Sequence, residues 1–181
     1  MKPLMAFLAL TVIVVACNDD ITGLGPPSDP AIETFAPSLG VNIGTMLKTP
    51  SGVYYTDLVV GTGLQDSAKA DSIEVDYAGY LKDGAEFDGD SGVTFIMAGV
   101  AAPIVGFRTG IYGMREGGRR VIVIPSALGY GGQVRRGDDG QILIPRQSTL
   151  VFDIQLLKLY NKVEATPSSV VAGAGYRRDG F

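Results

Sequence analysis

The chain has 181 residues, a formal net charge of −4, 46% hydrophobic residues and 19% charged ones, which bounds it to one ordinary domain with extensions. It contains no histidine and one cysteine, so the usual Ser-His and Cys-His triads, His-built zinc sites and an internal disulfide are excluded. Fifteen Lys and Arg against nineteen Asp and Glu offer no basic footprint for nucleic acid, while 25 glycines and 10 prolines suit a turn-rich sheet protein better than a helical bundle.

At the N-terminus, Lys2 precedes an apolar run over residues 4–16, interrupted by Thr11 and followed by Cys17 and the polar Asn18-Asp19-Asp20. This is the outline of a signal peptide over residues 1–16. As helix the run would reach roughly 20 Å, short of a hydrocarbon core about 30 Å thick. Val14-Val15-Ala16-Cys17 resembles a bacterial lipobox, which implies lipidation of Cys17 and a membrane anchor, with the domain facing the periplasm or exterior. The alternative is a free cysteine buried in a short apolar helix. Cleavage would remove Lys2 and take the net charge from −4 to −5.

Residues 18–48 hold Gly23, Gly25, Pro26, Pro27, Asp29, Pro30, Pro37 and Gly40 with no helical or strand period, so residues 17–48 read as a lipidated cysteine and flexible tether. The globular domain is expected over 49–160, with 161–181 as a loose tail.

Within the domain, Val53-Tyr54-Tyr55 opens a β-branched and aromatic run closed by Gly61-Thr62-Gly63, a strand and turn. Residues 73–80 alternate, placing Ile73, Val75, Tyr77 and Gly79 on one face. Lys82-Asp83-Gly84 makes a turn, Glu86-Phe87-Asp88 resumes an extended path, and Gly89-Asp90-Ser91-Gly92 is expected to break it before a short strand over 93–97. A helix is predicted over 104–114, with Phe107, Ile111 and Met114 on one face and Gly117-Gly118 as its stop. A strand over 119–124 ends at Pro125, a glycine-rich loop follows, and the last strand alternates from Leu150 to Leu159 with an interruption at Leu157. The sum is an α+β domain, an antiparallel sheet of about five strands with one short helix.

Four segments then carry a resemblance. Val75-Asp76-Tyr77-Ala78-Gly79-Tyr80-Leu81-Lys82-Asp83-Gly84-Ala85-Glu86-Phe87-Asp88 is similar to the signature of FKBP-type peptidyl-prolyl cis-trans isomerases. Pro103-Ile104-Val105-Gly106-Phe107 with Gly113-Met114 resembles that family's helix, and Ile124-Pro125 with Gly129-Tyr130-Gly131 its loop. Ile144-Pro145 with Ser148-Thr149-Leu150-Val151-Phe152 resembles its closing strand. The resemblance implies an FKBP-like fold in which a strongly twisted sheet wraps the helix, and rotation about X-Pro bonds as the activity. It implies Tyr77, Asp88, Ile104 and Tyr130 as catalytic residues, the last through its hydroxyl and Ile104 through its backbone N–H. Phe87, Phe95, Pro103, Phe107, Ile144 and Phe152 would bind the prolyl ring. Phe107 stands where the family commonly has tryptophan, Arg146 where it has a second proline, and Val93 where another aromatic is frequent. No cofactor or metal is implied.

The expected partners are proline-containing unfolded or nascent polypeptides and, through Cys17, a membrane; a monomer is expected. Position alone leaves other readings open. Tyr77, Phe107 and Phe152 occupy faces where any sheet protein puts core residues, and Asp88 before Gly89 could cap its own turn. Tyr130 between two glycines has the least structural reason to be aromatic. A noncatalytic peptide-gripping module on the same fold is the second functional reading, and a purely structural surface lipoprotein the third.

Overall fold

The computed structural model describes residues 25–66 and 70–160; the signal segment, Cys17 and the proposed tail 161–181 lie outside the described residues. Its strands are β1 (Leu47–Lys48), β2 (Tyr54–Val59), β3 (Ser72–Leu81), β4 (Glu86–Ile96), β5 (Arg119–Ile124), β6 (Arg135–Arg136), β7 (Ile142–Ile144) and β8 (Leu150–Tyr160), with one helix, α1 (Val105–Ile111). Six strands form an antiparallel sheet in the order β1-β2-β5-β8-β3-β4, and β6 and β7 form a separate hairpin. The expected α+β architecture is present, with the two-residue β1 added to the five longer strands.

Alternation sorts each strand into two faces. Ile73 and Val75 of β3, Ile122 and Ile124 of β5, and Leu150, Phe152, Ile154 and Leu156 of β8 share one core cluster with Phe107 and Ile111 of α1. The interruption at Leu157 is a bulge: Glu74 pairs with Lys158 but Val75 with Leu156, so the apolar parity resumes at Leu159. Helix α1 lies close on β5 because its contact stripe is glycine. A Cβ on Gly106 would collide with Ile124, and one on Gly110 would stand 2.8 Å from the Ile122 side chain.

The helix is shorter than its predicted span. Tyr112 leaves helical geometry at ψ 132° and Gly113 takes φ +81°, so the helix ends at Ile111, six residues before Gly117. Its open carbonyls are met by a buried cation. Arg120, 5% exposed, donates to the Gly110 and Tyr112 carbonyls at 2.9 and 3.0 Å, grips Asp57 of β2 at 2.7 and 3.0 Å, and stacks on Tyr55.

The break expected at Gly89-Asp90-Ser91-Gly92 is also absent, since β4 runs through it. Between the Val75–Val93 and Tyr77–Asp90 pairs, Ser91 and Gly92 face the single residue Asp76. Gly92 takes φ +66° and its N–H donates to Asp76 Oδ1 at 2.8 Å, so a wide irregularity replaces a chain break.

The largest correction concerns residues 25–48, which do not form a free tether. They make three 3-10 turns, Pro30–Ile32, Pro37–Leu39 and Ile43–Thr45, and end in β1. Asp29 and Asn42 side chains accept the Ala31 and Gly44 N–H groups, which starts two of these turns. Phe35, Leu39, Val41, Ile43 and Met46 pack on Tyr54, Val121, Val123 and Val151, the sheet face opposite α1. Short, irregularly spaced apolar residues show no period along the chain, yet they bury well when the surface beneath them is already built. Ala36 N–H to the Lys82 carbonyl at 2.8 Å and Lys82 to Glu33 at 3.1 Å fix the segment beside the β3–β4 turn.

Candidate active site

On the α1 face the core opens into an aromatic basin. Phe107, 2% exposed, sits in the first helical turn with its ring centroid 5.3 Å from Phe152, 5.6 Å from Phe95 and 6.3 Å from Tyr77, mostly edge to face. Tyr77 lies 5.4 Å from Phe95 and 6.4 Å from Phe152. Phe87 meets Phe152 edge-on at 5.5 Å. Ile144, at the end of β7, is buried in the same cluster, and Ile104, Tyr130, Leu128, Leu143 and Met97 pack against it half-buried.

Backbone irregularities aim these side chains. Gly79 pairs with Asp88 but Tyr80 with Glu86, so Phe87 is an extra residue in β4. Neighbours in a regular strand point to opposite faces, whereas a bulge lets two successive residues serve one side. Phe87 thereby reaches the basin while Asp88 Oδ2 accepts the Tyr77 hydroxyl at 3.0 Å. Gly79 leaves the space these rings fill: a Cβ there would lie 2.7 Å from Phe87 and 2.9 Å from Phe152.

Burial, then the hydrogen bond to Asp88, pushes the Tyr77 hydroxyl well above its ordinary pKa, so it stays a neutral donor. Burial likewise raises Tyr130, partly opposed by Arg135. Arg135 stacks over the Tyr130 ring at 5.1 Å, a rim contact the sequence does not signal, because the β6–β7 hairpin creates it. Ile104 is the N-cap of α1, after Pro103, and its N–H makes no hydrogen bond among the described residues, whereas its carbonyl accepts from Phe107 and Arg108. The structure thus assembles Tyr77, Phe87, Asp88, Phe95, Ile104, Phe107, Tyr130, Ile144 and Phe152 about one basin, and Pro103 adjoins it at the helix start. Cys17 is outside the described residues. Among the described residues no cluster of His, Cys, Asp or Glu suits a metal ion.

An apolar basin edged by neutral phenolic donors, on an antiparallel sheet with one short helix among the described residues, is a site that can bind and reshape an apolar stretch of chain. The model of the FKBP-type peptidyl-prolyl cis-trans isomerase family matches residues 63–157. The FK506-binding protein of Neisseria meningitidis serogroup B is 38% identical over 112 residues, 60% of this chain and 97% of its own length. Human peptidyl-prolyl cis-trans isomerase FKBP2 is 41% identical over 101 residues, 54% of this chain and 68% of its own. A crystal structure of a peptidyl-prolyl cis-trans isomerase from Pseudomonas syringae pv. tomato superimposes with TM-score 0.54 and 30% identity, covering 64% of this chain and 81% of that one. The chain belongs to the FKBP-type peptidyl-prolyl cis-trans isomerases, and is an enzyme of that class.

Proposed function

We propose that this isomerase works from a lipid anchor at Cys17 in the bacterial cell envelope, on X-Pro bonds of unfolded or nascent clients, with the basin around Phe107 receiving the prolyl ring. The observation that carries the site is the convergence of Tyr77, Phe95, Phe107 and Phe152 with the Tyr77–Asp88 hydrogen bond at the edge. Resonance sets a barrier of roughly 18 to 20 kcal/mol to rotation about the amide, and unaided isomerisation takes tens of seconds or more. The twisted amide has lost resonance and is less polar than the planar one, so a dry aromatic basin favours it over the ground state. The Ile104 N–H and the Tyr130 hydroxyl donate to substrate carbonyls and hold the chain on either side of the rotating bond. Asp88 orients Tyr77 through its hydrogen bond. No proton is abstracted and no covalent bond forms, which suits a chain without histidine.

The second reading, a peptide-gripping module, draws on the exposed apolar residues Ile96, Val105 and Ile142, which stand beside Phe95, Ile104 and Ile144 along the chain. A protease-free cis-to-trans assay on X-Pro peptides separates the two, using the chain from Asn18 onward. Acceleration that drops about tenfold or more in Tyr130→Ala and Asp88→Ala, a loss of roughly 1.4 kcal/mol in transition-state binding, supports the site. A folded wild type that binds unfolded protein without accelerating isomerisation sinks it. Radiolabelled fatty acid incorporated into the full chain and absent from Cys17→Ser tests the anchor.

A further inference from the structure

The loop that carries Tyr130 is held from a distant part of the chain. Ser28, in the segment before the first 3-10 turn, and Ser126, in the turn Ser126–Leu128 that leads to Tyr130, are 98 residues apart and bond reciprocally. The Ser28 N–H donates to Ser126 Oγ at 2.9 Å, and the Ser126 N–H donates to Ser28 Oγ at 2.7 Å. Ser126 is fully buried, and its hydroxyl passes the contact on by donating to Gln147 Oε1 at 3.0 Å. Gln147 in turn donates its N–H to the Gly131 carbonyl at 2.7 Å, and it holds a left-handed φ of +55° that a non-glycine residue keeps only when its surroundings fix it. The Ser126 carbonyl accepts the N–H groups of both Gly129 and Gly131, at 3.0 and 2.9 Å. Those are the two glycines that flank Tyr130.

We propose that Ser28 is a positioning residue of the isomerase: its clasp on Ser126 holds the turn whose carbonyl fixes both backbone neighbours of Tyr130. Glycines on either side give Tyr130 a wide choice of backbone conformation, so the Ser126 contacts to both of them narrow where its hydroxyl lies, beside the Arg135 stack on its ring and the Gln133 N–H bond to its carbonyl. Every polar backbone and side-chain group of Ser126 is engaged, and the Ser28 contacts are the ones that reach it from outside the 126–147 loop. The N-terminal segment therefore has two tasks, covering the far sheet face through Phe35 to Met46 and clamping the site loop through Ser28.

The proposal rests on the reading of Tyr130 as a substrate donor, so the test keeps the two apart. In the full chain purified in detergent, Ser28→Ala, Ser28→Thr and Tyr130→Phe are compared by isomerase kinetics and by amide hydrogen exchange. Ser28→Ala is expected to exchange Gly129 and Gly131 about tenfold faster and to lose kcat about three- to tenfold, with exchange in β5 and β8 unchanged. Ser28→Thr, which keeps both the N–H and a hydroxyl, is expected to restore both readouts. Unchanged exchange at Gly129 and Gly131 overturns the clasp, as does faster exchange spread evenly over the sheet, which marks general destabilisation. Faster local exchange with unchanged kcat overturns the positioning role. Full activity in Tyr130→Phe overturns the reading of Tyr130 itself, while the exchange data still decide whether the clasp holds the loop.

Discussion

Gly79 shows how a missing side chain shapes the site. It pairs with Phe152 across β8 and with Asp88 across β4, and the Phe87 and Phe152 rings close over it. Gly79→Ala sets a methyl inside both rings, and overpacking of this kind costs about 1 to 3 kcal/mol. The expected outcome is a lower urea midpoint together with a fall in kcat/KM that comes through kcat while KM stays nearly unchanged, because the floor moves while the rim stays. Tyr77 and Tyr130 give a second prediction, in alkali. Both hydroxyls titrate above the ordinary value of 10.0 in the folded protein, chiefly through burial. The folded state then keeps protons that the unfolded state releases, so their stabilisation is intact below pH 10 and is lost as pH rises above it. Between pH 9 and pH 11 the wild type is expected to lose more stability to denaturant than Tyr77→Phe; equal losses would remove Tyr77 as the cause. The ring residues were legible in the sequence through family motifs. Gly79's reason was not, since it depends on two strands that meet it only in the folded sheet.

Elements are seated by a few contacts that sequence periodicity does not carry. Alternation finds β3 and β8, and a continuous apolar run finds β5, which is buried on both faces, but β4 has little burial and two irregularities, so its glycines read as a break. The one at Phe87 is what puts Phe87 and Asp88 on the same side. The helix shows the same limit. Phe107 and Ile111 mark its buried face, yet its end is set by Gly113 and by Arg120 arriving from β5. Arg120 and its neighbour Arg119 make a controlled comparison. Both grip a carboxylate in two places, but Arg119 and Asp153 are in contact with water, their side chains 52% and 28% exposed, whereas the Arg120 side chain is 6% exposed. Removing one partner of a buried pair costs about 3 to 5 kcal/mol, and an exposed pair contributes about 0 to 1. Arg120→Ala, which also releases two helix-end carbonyls and leaves Asp57 partly in water, is expected near the lower end, about 3 kcal/mol. Arg119→Ala is expected to cost less than about 1 kcal/mol, and equal effects in urea denaturation would refute the helix-seating role.

At the scale of the molecule, the domain does not begin where its family match begins. The matched region starts at residue 63, and a strand reading of the sequence starts near 49, but the sheet face formed by Tyr54, Val121, Val123 and Val151 is covered by residues 35–46. An antiparallel sheet can leave one face to water when that face is polar; this one is apolar. The cover also shortens any linker to a lipid. Ser28 is eleven residues beyond Cys17, at most about 36 to 40 Å of fully extended chain, so an anchored enzyme would hold its Tyr130 loop near the membrane surface. A chain cut to begin at Thr49 loses β1, the five cover residues and the Ser28 clasp together. It is expected to melt well below a chain beginning at Gly25, to bind a hydrophobic dye and to self-associate in sedimentation as the bare face seeks another partner. A chain beginning at Gly25 keeps all three and is expected to match the one beginning at Asn18 in melting temperature and monomer state. If the Thr49 chain matched them too, residues 25–48 would be a passive wrapping. A deficit confined to the Thr49 chain makes them part of the folding unit and moves the domain boundary to the N-terminal side of Ser28.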